Sequence, residues 1–342
     1  MLVSAAGAPG TAALVRALRE NGERQVRLVG TDMSERAIGR HLCDAFYVVP
    51  PGSDAAFPDE MLALCDRERV DAVLPQSSFD LLALAESRER FTGIAVLVSG
   101  PEAIRSCNDK AATYGLLERI GVRAPAWRRA RGARQVEAAA RELGYPHEEV
   151  CCKPVFSSGS RGFRVLSAEA DRQSQLLTNR PGVAGALQLE ELVELLPDVG
   201  GPELLVMELA RGGERTVDGF AAGGRIVIGQ PKTREAMRAG LAMYFEALED
   251  PQLMDTAARI VAELGLEHFF NIQLVGEHVI EVNPRISTIV YQEDLNLPYL
   301  GLKHALGEIT TEEAQRFSAR VRPTRRALRF FDQVEWDDID DT

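Results

Sequence analysis

Short β-rich runs alternate with helical patterns over residues 1–107, and this alternation restricts the fold more than any other feature. Leu2–Ala6 reads as a strand, Gly10–Glu20 as a helix and Gln25–Gly30 as a strand. A helix over Phe57–Arg67 then precedes strands over Val70–Leu74 and Ile94–Ser99. Such alternation predicts a mainly parallel sheet with helices on both faces. Ligands of such sheets bind beyond the carboxyl ends of the strands. The loops there are Gly7-Ala8-Pro9-Gly10, Gly30-Thr31-Asp32 and Pro75-Gln76-Ser77-Ser78. A dinucleotide fingerprint needs G-x-G-x-x-G, and Pro9 stands where a glycine is required, although Asp32 closes the second strand as a ribose-binding acid would. The first loop therefore reads as a tight turn or a substrate-facing one. Ser77, Ser78 and Asp80 read first as caps of the next helix.

At 342 residues the chain exceeds one domain of about 100–200 residues. The expected units are residues 1–107, 108–205 and 206–342, with Pro101–Asn108 as the first link. Asn108-Asp109-Lys110 opens a helix ending near Ile120, and another helix covers Val136–Leu143. Strand Val150–Pro154 carries Lys153 and feeds the loop Ser157-Ser158-Gly159-Ser160-Arg161-Gly162. Backbone N–H groups of such a loop can wrap an anion. It is not a Walker A loop, because the lysine precedes the glycines. Leu204–Ala210 is a strand with Glu208 near its end, Glu214 follows Arg211-Gly212-Gly213, and the next strand carries Asp218. Strand Arg225–Gln230 leads into the basic segment Pro231-Lys232-Thr233-Arg234, and Leu241–Leu248 reads as a lid. The helix over Pro298–Leu306 is expected to cover the site. The acidic end, Glu335–Asp341, reads as a frayed tail.

Two strands, Phe270–Val275 and Val279–Val282, are predicted around Gly276. Alternation puts Glu281 and Asn283 on one face, as it does Asn271 and Gln273. An odd-numbered loop would bring Gln273 opposite Glu281, about 5 Å apart at Cβ. A hard cation such as Mg²⁺ could bridge those oxygens at about 2.0–2.1 Å. With Arg285 two residues beyond Asn283, the stretch suggests a metal holding a phosphorylated substrate. The alternative from spacing alone is a surface hairpin with a wet polar face.

The net charge of −12 argues against a nucleic-acid partner, which would meet a basic face. Cys43, Cys65, Cys107, Cys151 and Cys152 show neither C-x-x-C nor zinc spacing, which fits a reducing compartment. No apolar run reaches the ~18–20 residues that cross a bilayer. Met1-Leu2-Val3-Ser4 begins as a strand with no basic leader, so the expected location is cytoplasmic.

The order of these motifs resembles the ATP-grasp superfamily, in the branch similar to half of a carbamoyl phosphate synthetase large subunit. Asn108-Asp109-Lys110, Cys152-Lys153-Pro154 with the glycine loop, Met207-Glu208-Leu209, Glu214–Asp218, Asn271-Ile272-Gln273 and Glu281–Arg285 carry the resemblance. It implies an α/β and α+β protein: an ATP-grasp fold preceded by a Rossmann-like parallel-sheet domain. It implies that Lys110 and Lys153 contact ATP phosphates and that Ser158, Gly159, Ser160 and Gly162 close over them. Glu208 with the backbone of Leu209 and Ala210 would read adenine, and Glu214 would bind ribose. Lys232 would approach the γ-phosphate, Gln273, Glu281 and Asn283 would ligate Mg²⁺ or Mn²⁺, and Arg285 would steady the acyl group. Many members carry aspartate where Gln273 stands, although the carbamoyl phosphate synthetase branch is similar in carrying glutamine, and a neutral ligand attracts an ion less.

The implied reaction is ADP-forming ligation of a small carboxylate, an amino acid by preference, to an amine. Phosphorylation turns a poor electrophile into an acylphosphate with a good leaving group, mostly through positioning and charge neutralisation. A glycine-rich lid would keep water from that anhydride. The alternatives are a bicarbonate-phosphorylating enzyme and a nucleotide-binding protein without turnover. The resemblance also allows a homodimer.

Overall fold

The structure, a computed structural model, describes residues 1–156, 162–171, 173, 177, 185–198, 200–238, 241–287 and 293–336. Strands β1 (Leu2–Val3), β2 (Val29–Asp32), β3 (Ala45–Val48), β4 (Ala72–Leu74) and β5 (Ala95–Val96) form a parallel sheet, ordered β3-β2-β1-β4-β5. Neighbouring side chains go to opposite faces. Leu2 and Val73 pack with Met61, Leu64, Leu81 and Leu84, whereas Val3 and Leu74 pack with Leu14 and Leu18. Strand order reverses between β1 and β4, so the loops after these two strands flank a crevice. Gln76 ties them together, donating to Thr11 Oγ1 at 3.0 Å and to the Ala5 carbonyl at 3.3 Å.

Residues expected as a link, Pro101–Asn108, form a helix with proline in its first turn, where the fixed φ suits it. Helix Lys110–Arg119 follows, capped by Asp109, whose carboxylate accepts from Ala112 N. A second sheet takes β6 (Trp127–Arg131), β7 (Val150–Pro154), β8 (Arg164–Leu166), β9 (Ala186–Leu187) and β10 (Glu203–Glu208), ordered β6-β10-β7-β8-β9. The expected division at 205/206 thus falls inside one strand, paired along its length with β6 and β7.

The third sheet is antiparallel: β11 (Glu214–Ala222), β12 (Arg225–Arg234), β14 (His268–Val275) and β15 (His278–Asn283), ordered β12-β11-β14-β15. Strand β12 runs on through the basic segment, and it tolerates Pro231 because it lies at the sheet edge. Alternation separates two faces, with irregularities at Phe220/Ala221 and in β15. Val217, Ile272, Leu274, Val279 and Val282 pack against helices Lys110–Arg119 and Pro251–Leu264. The opposite face carries Glu214, Thr216 and Asp218 on β11, Lys232 and Arg234 on β12, and Asn271, Gln273, Glu281 and Asn283. Helix Leu297–Ala305 packs on this polar-bearing face, but at its far end over Phe220 and Phe269; it does not line the cavity below, contrary to expectation.

Strand β13 (Tyr244–Glu246) lies in the segment expected as a lid, and β16 (Arg326–Leu328) pairs with it. Beyond β16, Arg238 lies over the Phe331 ring at 4.6 Å, and Trp336 stacks on His41 of the first domain at 4.0 Å.

Candidate active site

A cavity of about 900 Å³ lies between the second and third sheets and opens onto the loops of the first. Its walls include Lys110, Lys153, Glu208, Leu209, Ala210, Glu214, Gln273, Glu281, Asn283 and Arg285, so most of the residues singled out in the sequence converge. Ala5, Ala8, Pro9, Gln76, Ser77 and Ser78 close one end, where β1 and β4 diverge. Met207, Leu209 and Phe163 give the other end an apolar lining. Ser158, Gly159 and Ser160 lie outside the described residues. Gly162 is described, with φ +76° and so little room that a Cβ would lie 2.7 Å from Pro154 Cδ.

Gln273 does face Glu281, but not through an odd-numbered loop. Val275 pairs with His278 across a two-residue turn, which alone would set Gln273 against Ile280. A bulge leaves Ile280 without a partner in the ladder and restores the facing pair. The carbonyl this frees accepts from the Tyr114 hydroxyl at 2.9 Å and from Lys153 Nζ at 3.4 Å. The bulge thus aims Glu281 and anchors the nearby lysine together.

Burial pulls the Lys153 ammonium down to about 8, with Glu281 opposing the fall and Lys110 adding to it. Burial lowers Lys110 as well, again against the attraction of Glu281. Two cations and one carboxylate therefore share this part of the wall, a charge balance open to a polyanion.

The remaining polar residues form a ladder. Asn271 donates through Nδ2 to Thr216 Oγ1 at 2.6 Å and to Asp218 Oδ1. Its Oδ1 accepts from Gln273 Nε2 at 2.7 Å and Asn283 Nδ2 at 3.3 Å. Arg234 Nη1 donates to Glu214 Oε2 at 2.9 Å and Gln273 Oε1 at 2.8 Å. Lys232 departs from its expected role. Its side chain is wholly buried, with Nζ 2.5 Å from Asp218 Oδ2 and over the Phe245 ring, and it does not line the cavity. Arg234, two residues along on the same face, lines it instead. Glu214, expected at a ribose, is engaged by that arginine, and Gln273 by Arg234 and Asn271. Glu208 keeps its place in the wall while its carboxylate accepts from Ala126 N at 2.9 Å. Asp32 clasps the first loop, accepting from Gly7 N at 2.8 Å.

The donor set suits a hard divalent ion. Glu281 supplies a carboxylate, and Asn283, whose Nδ2 faces Asn271, has its amide oxygen left for a ligand. Mg²⁺ takes few protein ligands and completes its octahedron with phosphate oxygens and water. Among the described residues no group of three or more His, Cys, Asp or Glu side chains could hold a metal unaided. A second cavity, of about 980 Å³, shares Ser78, Phe79, Lys110, Glu281 and Asn283 with the first.

Comparison with known proteins agrees with this architecture. Residues 1–98 match the family described as PylC-like, N-terminal domain, and residues 201–327 match ATP-grasp in the biosynthetic pathway with Ter operon. The chain has the fold of the biotin carboxylase–βγ-ATP complex from Campylobacter jejuni, with TM-score 0.64, 16% identity and coverage of 91% and 72% of the two chains. It likewise resembles L-amino acid ligase from Bacillus licheniformis, with TM-score 0.63, 15% identity and coverage of 95% and 78%. The chain has the ATP-grasp fold.

In sequence the chain is similar to the carbamoyl phosphate synthase large chain. The Methanothermobacter thermautotrophicus protein is 25% identical over 285 residues, 80% of this chain and 25% of that relative. A Thermus thermophilus protein is 28% identical over 221 residues, 61% of this chain and 20% of that relative. The chain spans about a quarter of the length of such relatives.

Proposed function

We propose that the protein is an ATP-dependent, ADP-forming carboxylate–amine ligase acting on small molecules. The observation that carries this reading is the placement of Glu281 and Asn283 beside Lys110 and Lys153, in a cavity that reaches the loops of the first sheet. Adenine would lie against Met207, Leu209 and Ala210, and the lysines would take the phosphates. A divalent ion held by Glu281 and Asn283 would neutralise charge on the transferred phosphoryl group. Arg285 and the loop Gln76–Ser78 then face the acid. The second cavity gives the second substrate a separate approach to the same oxygens. The proposed setting is the cytoplasm.

The test is ADP and phosphate release against a panel of amino acids, with hydroxylamine added to trap the activated acid as its hydroxamate. Turnover with one acid–amine pair and a matching hydroxamate is expected. Turnover with bicarbonate alone would select the bicarbonate-phosphorylating alternative, to which the sequence similarity to carbamoyl phosphate synthase large chains lends weight. Nucleotide binding without turnover across the panel would make the protein a sensor.

A further inference from the structure

The arginine on β12 changes what the metal site can hold. Arginine only donates hydrogen bonds, so the group of Gln273 that meets Arg234 Nη1 at 2.8 Å must be its oxygen. The amide nitrogen is thereby turned to Asn271 Oδ1, at 2.7 Å. Both ends of Gln273 are occupied, and its one oxygen of use to a cation already faces a permanent positive charge. The same Nη1 takes Glu214 at 2.9 Å, the carboxylate that borders the cavity on that side. Asp218, deeper in the ladder, is neutralised by Lys232. Among the described residues, this leaves Glu281 as the acid of the third sheet's cavity wall that meets no cation at ion-pair distance, and two lysines already attract it.

We infer that Arg234 takes the place of a second divalent ion: it keeps Gln273 and Glu214 out of the metal sphere and supplies the positive charge itself. The protein then binds its nucleotide with a single ion on Glu281 and Asn283. Arg234 is a positioning residue for Gln273 and a cation for the terminal phosphate. A second divalent ion at Gln273 would have to sit against a guanidinium, at a neutral ligand and with no carboxylate besides Glu281, which already holds the first ion, to offset the repulsion. The inference rests on the nucleotide reading of the cavity.

Mn²⁺ supplies the probe. Electron paramagnetic resonance of the full chain, saturated with ADP and titrated with Mn²⁺, counts the ions bound. One Mn²⁺ per nucleotide is expected. In Arg234→Ala, nucleotide affinity measured by calorimetry should fall about tenfold or more, the worth of one charge-assisted hydrogen bond. Arg234→Lys, which keeps the charge but not the fork, should recover part of it, and circular dichroism shows whether each variant is folded. Two ions per nucleotide in the natural protein, or unchanged affinity in folded Arg234→Ala, overturns this inference and leaves the ligase reading intact. Failure to bind any nucleotide overturns both.

Discussion

Glu281, in the cavity wall, and Asp80, buried beside the first sheet, are both acids, and their surroundings give them opposite uses. Glu281 faces Lys110 and Lys153 outside the apolar core, so its removal should touch chemistry rather than folding. Glu281→Ala is expected to lower ADP release by about 100-fold or more, the usual cost of deleting a group that stabilises developing charge. Its thermal midpoint should stay close to that of the natural protein; a large drop would make the residue structural. Asp80 is 7% exposed, and its carboxylate accepts from the Ser4 hydroxyl at 2.6 Å. Burial raises its pKa from 3.8 to about 6, outweighing that bond. A raised acid stabilises the fold fully only below its unfolded pKa, and the contribution is lost as pH climbs through the folded value. Asp80→Asn should therefore match the natural protein near pH 4 and gain on the order of 1–3 kcal/mol above pH 6, read from denaturant melts at each pH. The sequence placed Lys232 and Arg234 together in a basic segment beyond strand Arg225–Gln230. It could not say that Phe245, from another segment, would cover the first and leave the second at the cavity.

The hairpin of β14 and β15 is the element on which the site depends, and its two irregularities have different causes. The bulge at Ile280 was not legible in the sequence, because what holds it is a carbonyl shared by Tyr114 and Lys153, more than a hundred residues upstream. The position of the turn at Gly276 was legible, though not its two-residue length; Gly276 has φ +54° and a Cβ there would come within 2.5 Å of the Arg211 carbonyl. That contact joins the hairpin tip to the connection between β10 and β11, at the apolar end of the cavity. Gly276→Ala should cost about 1–3 kcal/mol in urea denaturation and should weaken nucleotide binding as well. Loss of stability with no change in affinity would uncouple the tip from the site. Strand β6 escaped notice for a related reason. Trp127-Arg128-Arg129-Ala130-Arg131 is too basic to read as a strand, but Arg128 is taken by Glu142 and Arg129 by Asp109 at the edge of the sheet.

For the whole molecule, the order and spacing of modest motifs proved more informative than any one of them. The motifs sit on strands of the second and third sheets and at the start of helix Lys110–Arg119, and most of them reach one cavity. The chain's final stretch adds a link that no motif announced, since β16 pairs with the wall segment and Trp336 reaches back to His41. The chain has two tryptophans, and Trp127 lies 6.2 Å from the Tyr114 ring, centroid to centroid. With Trp127 replaced by phenylalanine, the remaining indole becomes an optical gauge of whether the tail is docked. Met237 and Leu241 line the cavity beside Arg238, which holds Phe331. Filling the cavity with nucleotide should therefore shift the Trp336 emission, and cutting the chain after Arg325 should abolish the signal and lower nucleotide affinity. Emission indifferent to nucleotide would mean that the tail rides on the wall without sensing it. The stacked ring would otherwise let a fluorimeter follow ligand arrival in real time, with no label and before any substrate is identified.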